Sequence, residues 1–407
     1  MIPRDAAGCY HYVYNEEYSC SDNYWHHWSG MTVDSQVQQR KRLLPLDLLR
    51  GLLMILMALD HANFHIAQQH SPGEYWGGLF PSFSGSLHFL IRFVTHFSAP
   101  GFFFTMGVGM VLFASSRGEK GWNKLEIWKH FLLRGLVLIA LQVLLNYGQA
   151  WSVVGSSAML WYVGVLAALG VGMILCIPLL NLKPIFLAGI SLGLFVTMEL
   201  LTPDPLIWGR NFDNLAGTLL VYSGGRGEFW TNYPLLAWVE VIVFGMLFGK
   251  WILADVKKAY LKGAWLGLAC LVGFVLLRLI NGFGNIRSLP LGNWMDFLSV
   301  VKYPPSMTFV LLTMGVNLTI LGIFSLYKKP MLGDWNPVLV FGRVPLFFYL
   351  AHIGVYLLMG RLLTPGGSTL EVMILLWLAG LVVLYFPARW YGHLKNRQPA
   401  RSWVRYF

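Results

Sequence analysis

Charged side chains are scarce in this chain of 407 residues. They make up 12% of the sequence, whereas 56% of the residues are hydrophobic. Soluble globular domains carry about 25% charged residues, so this composition excludes an ordinary soluble domain and indicates a polytopic membrane protein. Acidic residues are the rarer sign, with 19 of them against 30 basic residues. In a membrane protein such an excess is typical of cytoplasmic loops, and we predict no nucleic-acid partner.

Several familiar chemical signatures are also missing. The four cysteines show no spacing that is typical of a disulfide framework or a metal site, and we expect no metal. The sequence contains no Walker loop, no GxSxG nucleophile motif and no HExxH zinc motif. Histidine, carboxylate and arginine remain inside the apolar segments, a set that suits proton transfer and anion binding.

Long apolar runs are abundant, and a helix that crosses a membrane needs about 20 such residues. We predict an all-α bundle of about ten transmembrane helices. A short amphipathic helix at 85–97 is predicted to precede the second span. Basic residues concentrate on the side that holds both termini, so both termini are predicted to be cytoplasmic. The predicted spans are 44–65, 98–115, 127–147, 157–178, 184–201, 234–253, 263–281, 305–326, 337–359 and 370–389.

Polar segments flank the predicted membrane domain, which covers residues 43–390. We expect residues 1–42 to form a disordered tail, with a translation start at Met31 as the alternative. Residues 391–407 are predicted to be a basic cytoplasmic tail. No internal repeat is visible, which weakens a transporter interpretation because many transporters are built from repeated halves.

Three long loops lie on the predicted extracytoplasmic side, at about 66–85, 202–233 and 282–304. They contain many Gly, Pro, Trp and Asn residues and few charges. Functional residues often lie on loops that a rigid scaffold positions. We therefore expect these loops to shape a site that faces outwards.

The first predicted helix carries ionisable residues at both ends. Asp47 and Arg50 are three residues apart and can pair at the cytoplasmic boundary, or Arg50 can bind an incoming phosphate or carboxylate. His61 follows about 16 Å further along the helix, and His65 lies one turn beyond it. Asp60 points about 100° away from His61, so its expected partner is a cation or hydroxyl on another helix. Ionisable groups at membrane depth usually have a function.

The short amphipathic helix carries a basic stripe, because His88, Arg92 and His96 recur every four residues. One interpretation is an interfacial helix that lies on lipid headgroups. The functional alternative is that the stripe forms the wall of a pocket beside His61.

Two later spans also contain polar groups. Tyr349, His352 and Tyr356 share one face of the ninth span, where His352 is either a structural hydrogen-bonding group or a functional one. Glu240 lies within another span, where an unpaired carboxylate would be costly. We therefore expect Glu240 to have a partner such as a histidine.

Five stretches resemble, in order, bacterial members of the membrane acyltransferases related to heparan-alpha-glucosaminide N-acetyltransferase. The resemblance runs from Leu43 to about residue 390 and rests on LPLDLLRGLLMILMALDHANF, THFSAPGFFFTMG, YPLLAWVEVIVFGMLFG, KYPPSM and FGRVPLFFYLAHI. It implies that acetyl-CoA or a related acyl-CoA binds from the cytoplasm. The acyl group would pass to a sugar amine or hydroxyl on the far side of a bacterial cytoplasmic membrane.

The resemblance also implies roles for particular residues. His61 would be the general base, because an Asp-His pair such as Asp60-His61 is usual in the bacterial relatives. In the enzyme that gives the group its name, an asparagine stands at this position, and the catalytic histidine lies in the following loop, close to the position of His70. Arg92 and His96 would stabilise an oxyanion or position the sugar.

The remaining predicted site residues fall into two sets. The acceptor would contact further side chains of the outer half, namely His88, His65, Tyr349, His352 and Glu240. The acyl-CoA would contact residues of the inner half, namely Asp47, Arg50 and Arg134. Direct transfer and a covalent acyl-histidine are both compatible with these residues.

Two other functions are compatible with the same polar groups. A transporter or flippase for a sugar or lipid-linked saccharide would bind its solute there without reacting with it. A non-catalytic membrane scaffold would not need His61 for catalysis. Membrane lipid is the one partner common to all three functions, and the sequence leaves the oligomeric state open.

Overall fold

A computed structural model describes residues 43–70, 74–77, 82–152, 161–203, 214–226, 229–288, 292–327, 332–398 and 402. The predicted tail at 1–42 and the alternative start at Met31 lie outside these residues. The segment Leu44–Phe407 forms one compact unit. The last helix continues to Arg397, so the described beginning of the predicted C-terminal tail is helical.

The architecture is an all-α bundle, as predicted, with one small sheet. The helices are α1 (Leu44–Ala62), α2 (Ser86–Thr95), α3 (Ser98–Gly118), α4 (Lys124–Ser152), α5 (Val165–Leu175), α6 (Pro184–Leu201), α7 (Leu215–Leu220), α8 (Leu235–Ala254), α9 (Val256–Ile280), α10 (Trp294–Leu298), α11 (Met307–Ser325), α12 (Pro337–Arg343), α13 (Pro345–Leu363) and α14 (Leu370–Arg397). The strands are β1 (Trp161–Val163), β2 (Gly224–Arg226) and β3 (Phe229–Thr231).

The protein is an integral membrane protein with many apolar helices. Within the described ranges, eight helical segments are long and apolar enough to cross a membrane, and α2 with α3 counts as one of them. Two helices at predicted spans are not among the eight. α1 contains three charged residues, Asp47, Arg50 and Asp60, and α5 has only 11 residues. The total of ten spans therefore stays a prediction.

Two predicted spans differ in detail from the structure. The span predicted at 157–178 is shorter, because Trp161–Val163 is a strand and α5 begins only at Val165. The span predicted at 337–359 is divided at Val344, between α12 and α13. Pro345 explains this break, because proline has no amide hydrogen and its ring disfavours helical backbone at the preceding residue.

Helix α1 lies at the centre of the bundle, where it packs against α2, α3, α11, α12, α13 and α14. Its contact with α12 depends on glycine on both sides. A Cβ atom at Gly51 would lie 1.8 Å from the carbonyl oxygen of Val338, and one at Gly342 would lie 1.9 Å from that of Asp47. Small residues allow such close approach of two helix backbones. This contact fixes the position of the helix that carries Asp60 and His61.

The small sheet has the strand order β1-β3-β2. β1 runs parallel to β3, with Tyr162 opposite Trp230, and β2 runs antiparallel to it. The sheet joins the segment before α5 to the predicted outer loop at 202–233. It therefore brings Tyr162 and Trp230 to the same place, beside the end of α1 that carries His61.

Candidate active site

A cavity of about 1030 Å³ lies at the C-terminal end of α1. Small-molecule pockets commonly measure about 300–1,000 Å³, so this one has room for two reacting groups together. Each of the three long loops supplies part of its wall, with Glu74, Trp230 and Lys302 as examples. All three loops therefore contribute to the wall of one cavity.

His61 lines this cavity and contacts a second histidine from a distant helix. Its Nδ1 atom lies 3.0 Å from Nε2 of His352 on α13 and 3.1 Å from the carbonyl oxygen of Met57. The two imidazole rings meet edge to face, with centroids 4.8 Å apart. His352 is fully buried, and its own Nδ1 lies 2.9 Å from the carbonyl oxygen of Phe348.

These contacts determine where the protons lie on the two rings. A carbonyl oxygen can only accept, so the Nδ1 atom of His352 donates to Phe348 and its Nε2 atom accepts in the neutral ring. The hydrogen between the two rings then belongs to Nδ1 of His61. The Nε2 atom of His61 consequently carries the lone pair. Because His61 lines the cavity, this nitrogen is the one available to accept a proton from a bound molecule.

Asp60 points away from His61 and pairs with another helix, as predicted from their angular separation. The guanidinium of Arg92 on α2 donates to Asp60, and Thr95 Oγ1 donates to the same carboxylate at 2.9 Å. Arg92 also donates through two nitrogens to Glu74. Only 1% of Arg92 is exposed, so one buried guanidinium binds two carboxylates.

Glu74 connects the outer loop to the basic stripe of α2. Its Oε1 atom lies 3.1 Å from Nε2 of His96, although the angle is not that of a hydrogen bond. Burial raises the pKa of Glu74, but the charges of Arg92 and His96 outweigh this effect and hold the pKa well below its usual value. Glu74 is therefore a carboxylate at neutral pH.

Two more predicted histidines line the cavity. His70 Nε2 lies 3.6 Å from Asp60 Oδ1, on the face of the carboxylate that borders the cavity. The His65 ring stacks against that of His61 with centroids 6.4 Å apart, and its Nε2 atom is buried without a hydrogen-bond partner among the described residues. Both side chains could contact a bound acceptor.

One wall of the cavity consists of aromatic and amide side chains. Asn232 is at its centre, because its Oδ1 atom accepts from the hydroxyl of Tyr75 at 2.6 Å and from Nε1 of Trp230 at 2.7 Å. Its Nδ2 atom donates to the hydroxyl of Tyr162 at 3.0 Å. All four residues line the cavity. Aromatic faces held by a polar network are suited to contact the apolar faces and hydroxyl groups of a sugar.

Lys302 also lines the cavity, although only 3% of the residue is exposed. Its backbone amide donates to the carbonyl oxygen of Glu74 at 3.0 Å, and its ammonium lies 5.0 Å from the ring centroid of Tyr303. Burial raises the pKa of the Tyr303 hydroxyl well above its usual value, so this neighbour is neutral.

Most of the other predicted acceptor-binding residues lie away from the cavity surface. Arg92 and His96 lie behind the carboxylates, so direct contact of these two side chains with a substrate is not what the structure favours. His88 points to another place, because its Nε2 atom lies 2.7 Å from the carbonyl oxygen of Gln69. Tyr349 does line the cavity, whereas His352 reaches it only through His61.

The expected histidine partner of Glu240 is wrong. Within the described part of the chain, its buried Oε2 atom has no hydrogen-bond partner, and the charged group that acts on it is Glu199. Glu199 itself accepts from three backbone amides, including that of Ile286 at 2.7 Å. Neither carboxyl group is among the residues that line the cavity. We assign no chemical step to Glu240.

The residues predicted to bind acyl-CoA lie elsewhere in the bundle. Asp47 and Arg50 approach to 3.5 Å, as expected from their spacing, and Arg50 also donates to the carbonyl oxygen of Thr105 at 3.3 Å. Arg134 on α4 is close enough to His130 for its charge to act on that ring. None of these residues is among those that the structure places on the cavity wall.

Sequence reasoning missed several cavity residues. Glu74, Lys302 and Asn232 all lie in irregular segments, where no helical or strand period marks a residue as inward-facing. A partial signal was present for Lys302, because the stretch KYPPSM belongs to the resemblance, but no role was assigned to its lysine. Glu74 also had a signal, because acidic residues are scarce in this protein and Glu74 is one of the few in its outer loops.

The sequence matches the family described as heparan-alpha-glucosaminide N-acetyltransferase, catalytic, over residues 42–276, which is more than half of the chain. The chain belongs to this family. No curated protein matches it. The part that matches the acetyltransferase family contains Asp60, His61 and Arg92, whereas Lys302 and His352 lie beyond it.

Proposed function

We propose that this protein transfers an acetyl or other short acyl group from acyl-CoA to a sugar amine or hydroxyl, with His61 as general base. The observation that carries the proposal is the His61–His352 pair. It leaves a lone pair on Nε2 of His61, and His61 lines a cavity with room for two reacting groups. Membership of the acetyltransferase family supports the same reaction.

In the proposed reaction the acceptor nitrogen or oxygen attacks the carbonyl carbon of the thioester. The carbonyl π electrons move to oxygen, and His61 Nε2 takes the proton of the attacking group. The carbonyl then re-forms, the carbon–sulfur bond breaks, and the imidazolium returns its proton to the departing thiolate. Neutral imidazole is the side chain that most often takes up a proton in general base catalysis. No other reactant is needed.

The surrounding residues would hold the base and the acceptor in place. Arg92 fixes Asp60 and Glu74, and these carboxylates border the cavity together with His70. The aromatic and amide wall around Asn232 would bind the sugar. Hydrogen bonds link these groups to one another, and correct positioning supplies much of the rate of a two-substrate reaction.

The donor would reach the cavity from the cytoplasm of a bacterium, with the acceptor on the opposite side of its cytoplasmic membrane. Arg50 and Arg134 are the proposed contacts of the CoA phosphates, because the planar guanidinium group binds phosphate through two hydrogen bonds. In this arrangement the acyl end of CoA extends along the bundle to His61.

The experiment that tests the function uses purified protein in proteoliposomes. Radiolabelled acetyl-CoA is supplied on one side, and amino sugars or glycans are supplied on the other. Labelled acceptor is the expected result. Absence of both acetyl-CoA binding and labelled product, together with solute counterflow without CoA, would replace this proposal with a saccharide transporter.

A further inference from the structure

The reaction proposed above needs positive charge at the carbonyl oxygen of the donor, where negative charge develops as the acceptor attacks. Groups that stabilise such an oxyanion usually supply the largest single contribution to acyl transfer. The sequence suggested Arg92 for this task. In the structure Arg92 is buried, donates to Asp60 and Glu74, and is not among the cavity-lining residues.

Lys302 is the cation that fits instead. More than nine-tenths of the residue is buried, yet it lines the same cavity as His61. Within the described chain its ammonium makes no hydrogen bond, and no carboxylate lies within 4.0 Å of it. Its charge is close enough to act on Asp60 and His61.

An unpaired buried ammonium is costly, so its retention needs a reason. Its neighbours within the protein are the Tyr303 ring, whose centroid lies 5.0 Å away, and Asp60, on which its charge acts although Asp60 already accepts from Arg92. Since the ammonium makes no hydrogen bond within the described chain and Lys302 lines the cavity, it is available to an anion that forms when the cavity is occupied.

The position of Lys302 relative to His61 is fixed by contacts through the outer loop. The backbone amides of Lys302 and Tyr303 both donate to the carbonyl oxygen of Glu74, at 3.0 and 3.2 Å. The Glu74 side chain is bound by Arg92, which in turn binds Asp60, the neighbour of His61 in α1. Base and ammonium are therefore held together in one cavity before any substrate binds.

We propose that Lys302 is a catalytic residue whose ammonium stabilises the negative charge on the thioester carbonyl oxygen in the transition state. This inference rests on the proposed acyl transfer. It assigns the base to α1 and the group that stabilises the oxyanion to the loop before α11. The second element lies outside the part of the chain that matches the acetyltransferase family.

The test compares Lys302→Met with wild-type protein and with Lys257→Met, which removes an exposed lysine of α9. Loss of one oxyanion-stabilising group lowers kcat by roughly 100- to 1,000-fold. We expect this loss for Lys302→Met with an unchanged KM for the acceptor, and no loss for Lys257→Met. Lys302→Arg, which keeps the charge, should retain more activity than Lys302→Met.

A structural role for Lys302 is distinguished by stability. Because the ammonium makes no hydrogen bond and no ion pair within 4.0 Å among the described residues, Lys302→Met should unfold at a temperature close to that of wild type. A lower unfolding temperature that accounts for the lost activity would overturn the proposal. An unchanged kcat with a raised acceptor KM would also overturn it, because Lys302 would then bind an anionic group of the acceptor.

A binding measurement gives a readout that does not depend on turnover. Carboxymethyl-CoA places a carboxylate near the position of the thioester carbonyl, whereas acetonyl-CoA places a neutral ketone there. Wild type should bind the carboxylate about tenfold or more tightly than the ketone, and Lys302→Met should lose this preference. Equal preference in both proteins would contradict the inference.

The failure of this inference is distinguishable from the failure of the proposed function. If wild type itself transfers no acyl group, both fail. If wild type and Lys302→Met are equally active, only this inference fails.

Discussion

His352 Nε2 lies 3.0 Å from His61 Nδ1, although 291 positions separate the two residues in the chain. His352 is fully buried and is not among the residues that line the cavity. Its effect on a bound molecule can only pass through the His61 ring, whose orientation and proton position it fixes. His352 is therefore a positioning residue, comparable to the outer hydrogen-bond partner that selects the tautomer of a functional histidine.

The first prediction concerns this partner. His352→Leu removes the acceptor of the His61 Nδ1 hydrogen and should lower kcat by roughly 10- to 100-fold, as losses of outer partners of histidine ligands do. The KM for the acceptor should change little. His352→Gln offers an oxygen in a similar place and should recover part of the rate. Steady-state kinetics with Tyr356→Phe as the control, on the same helix, checks this.

A purely structural role for His352 would give a different pattern. Both His352 variants would then lose activity in proportion to their loss of folded protein, and glutamine would restore no more rate than leucine. The Tyr356 hydroxyl donates to the carbonyl oxygen of Trp377, away from His61, so its removal reports the general cost of losing one hydrogen bond in α13.

The second prediction concerns stability. Arg92→Met leaves Asp60 and Glu74 buried or half-buried without their cation. Removing one partner of a buried ion pair costs about 3–5 kcal/mol. Breaking the exposed pair Arg343–Asp334 by Arg343→Met should cost less than about 1 kcal/mol. Thermal unfolding in detergent compares the two variants, and equal losses would contradict the assignment of Arg92 as a buried ionic centre.

The third prediction is a pH dependence. The pKa of Glu74 lies well below its ordinary value near 4.5 in the folded protein. A lowered pKa means that the stabilisation is complete above the unfolded value and is lost as the pH falls through the folded value. The difference in unfolding temperature between wild type and Glu74→Gln should therefore be largest at neutral pH and shrink below about 4.5. A difference that grows on acidification would contradict the ion pair.

The fourth prediction tests the aromatic wall. Asn232→Leu keeps the size of the side chain but removes the hydrogen bonds to Tyr75, Trp230 and Tyr162. The loosened wall should raise the acceptor KM by about tenfold, since each hydrogen bond contributes about 1 kcal/mol. The KM for acetyl-CoA should stay the same. An equal rise of both constants would instead indicate a general collapse of the cavity.

The sequence predicted those features that depend on helical spacing. The apolar runs correspond to the long helices, and the separation of Asp60 from His61 around α1 correctly required a partner on another helix. The prediction that the stripe of His88, Arg92 and His96 forms the wall of the pocket was wrong, because none of the three lines the cavity and periodicity cannot tell what an inward face contacts. Arg92 binds Asp60 and Glu74 instead of lining the cavity. Glu74 lies in an outer loop, whose sequence has no helical or strand periodicity.

Contacts between distant segments were beyond prediction from one sequence. The His61–His352 pair exists because close packing at Gly51 and Gly342 brings α1 against the α12–α13 segment. Lys302 precedes two prolines in a segment without regular structure, so nothing local marks it as buried. Glu240 shows the opposite failure, because a sound argument about cost predicted a histidine where the structure has Glu199 nearby.

The central claim is that His61 is the base of acyl transfer, and one measurement tests it most directly. Transfer of radiolabel from acetyl-CoA to the acceptor is followed in proteoliposomes for wild type, His61→Ala and His70→Ala. A general base contributes roughly 100- to 10,000-fold to the rate. We therefore expect the transfer rate of His61→Ala to fall by at least about 100-fold, although the variant still binds acetyl-CoA and folds normally. Acyl transfer by His61→Ala at the wild-type rate, together with loss of transfer in His70→Ala, would contradict this role of His61 and assign the base to His70.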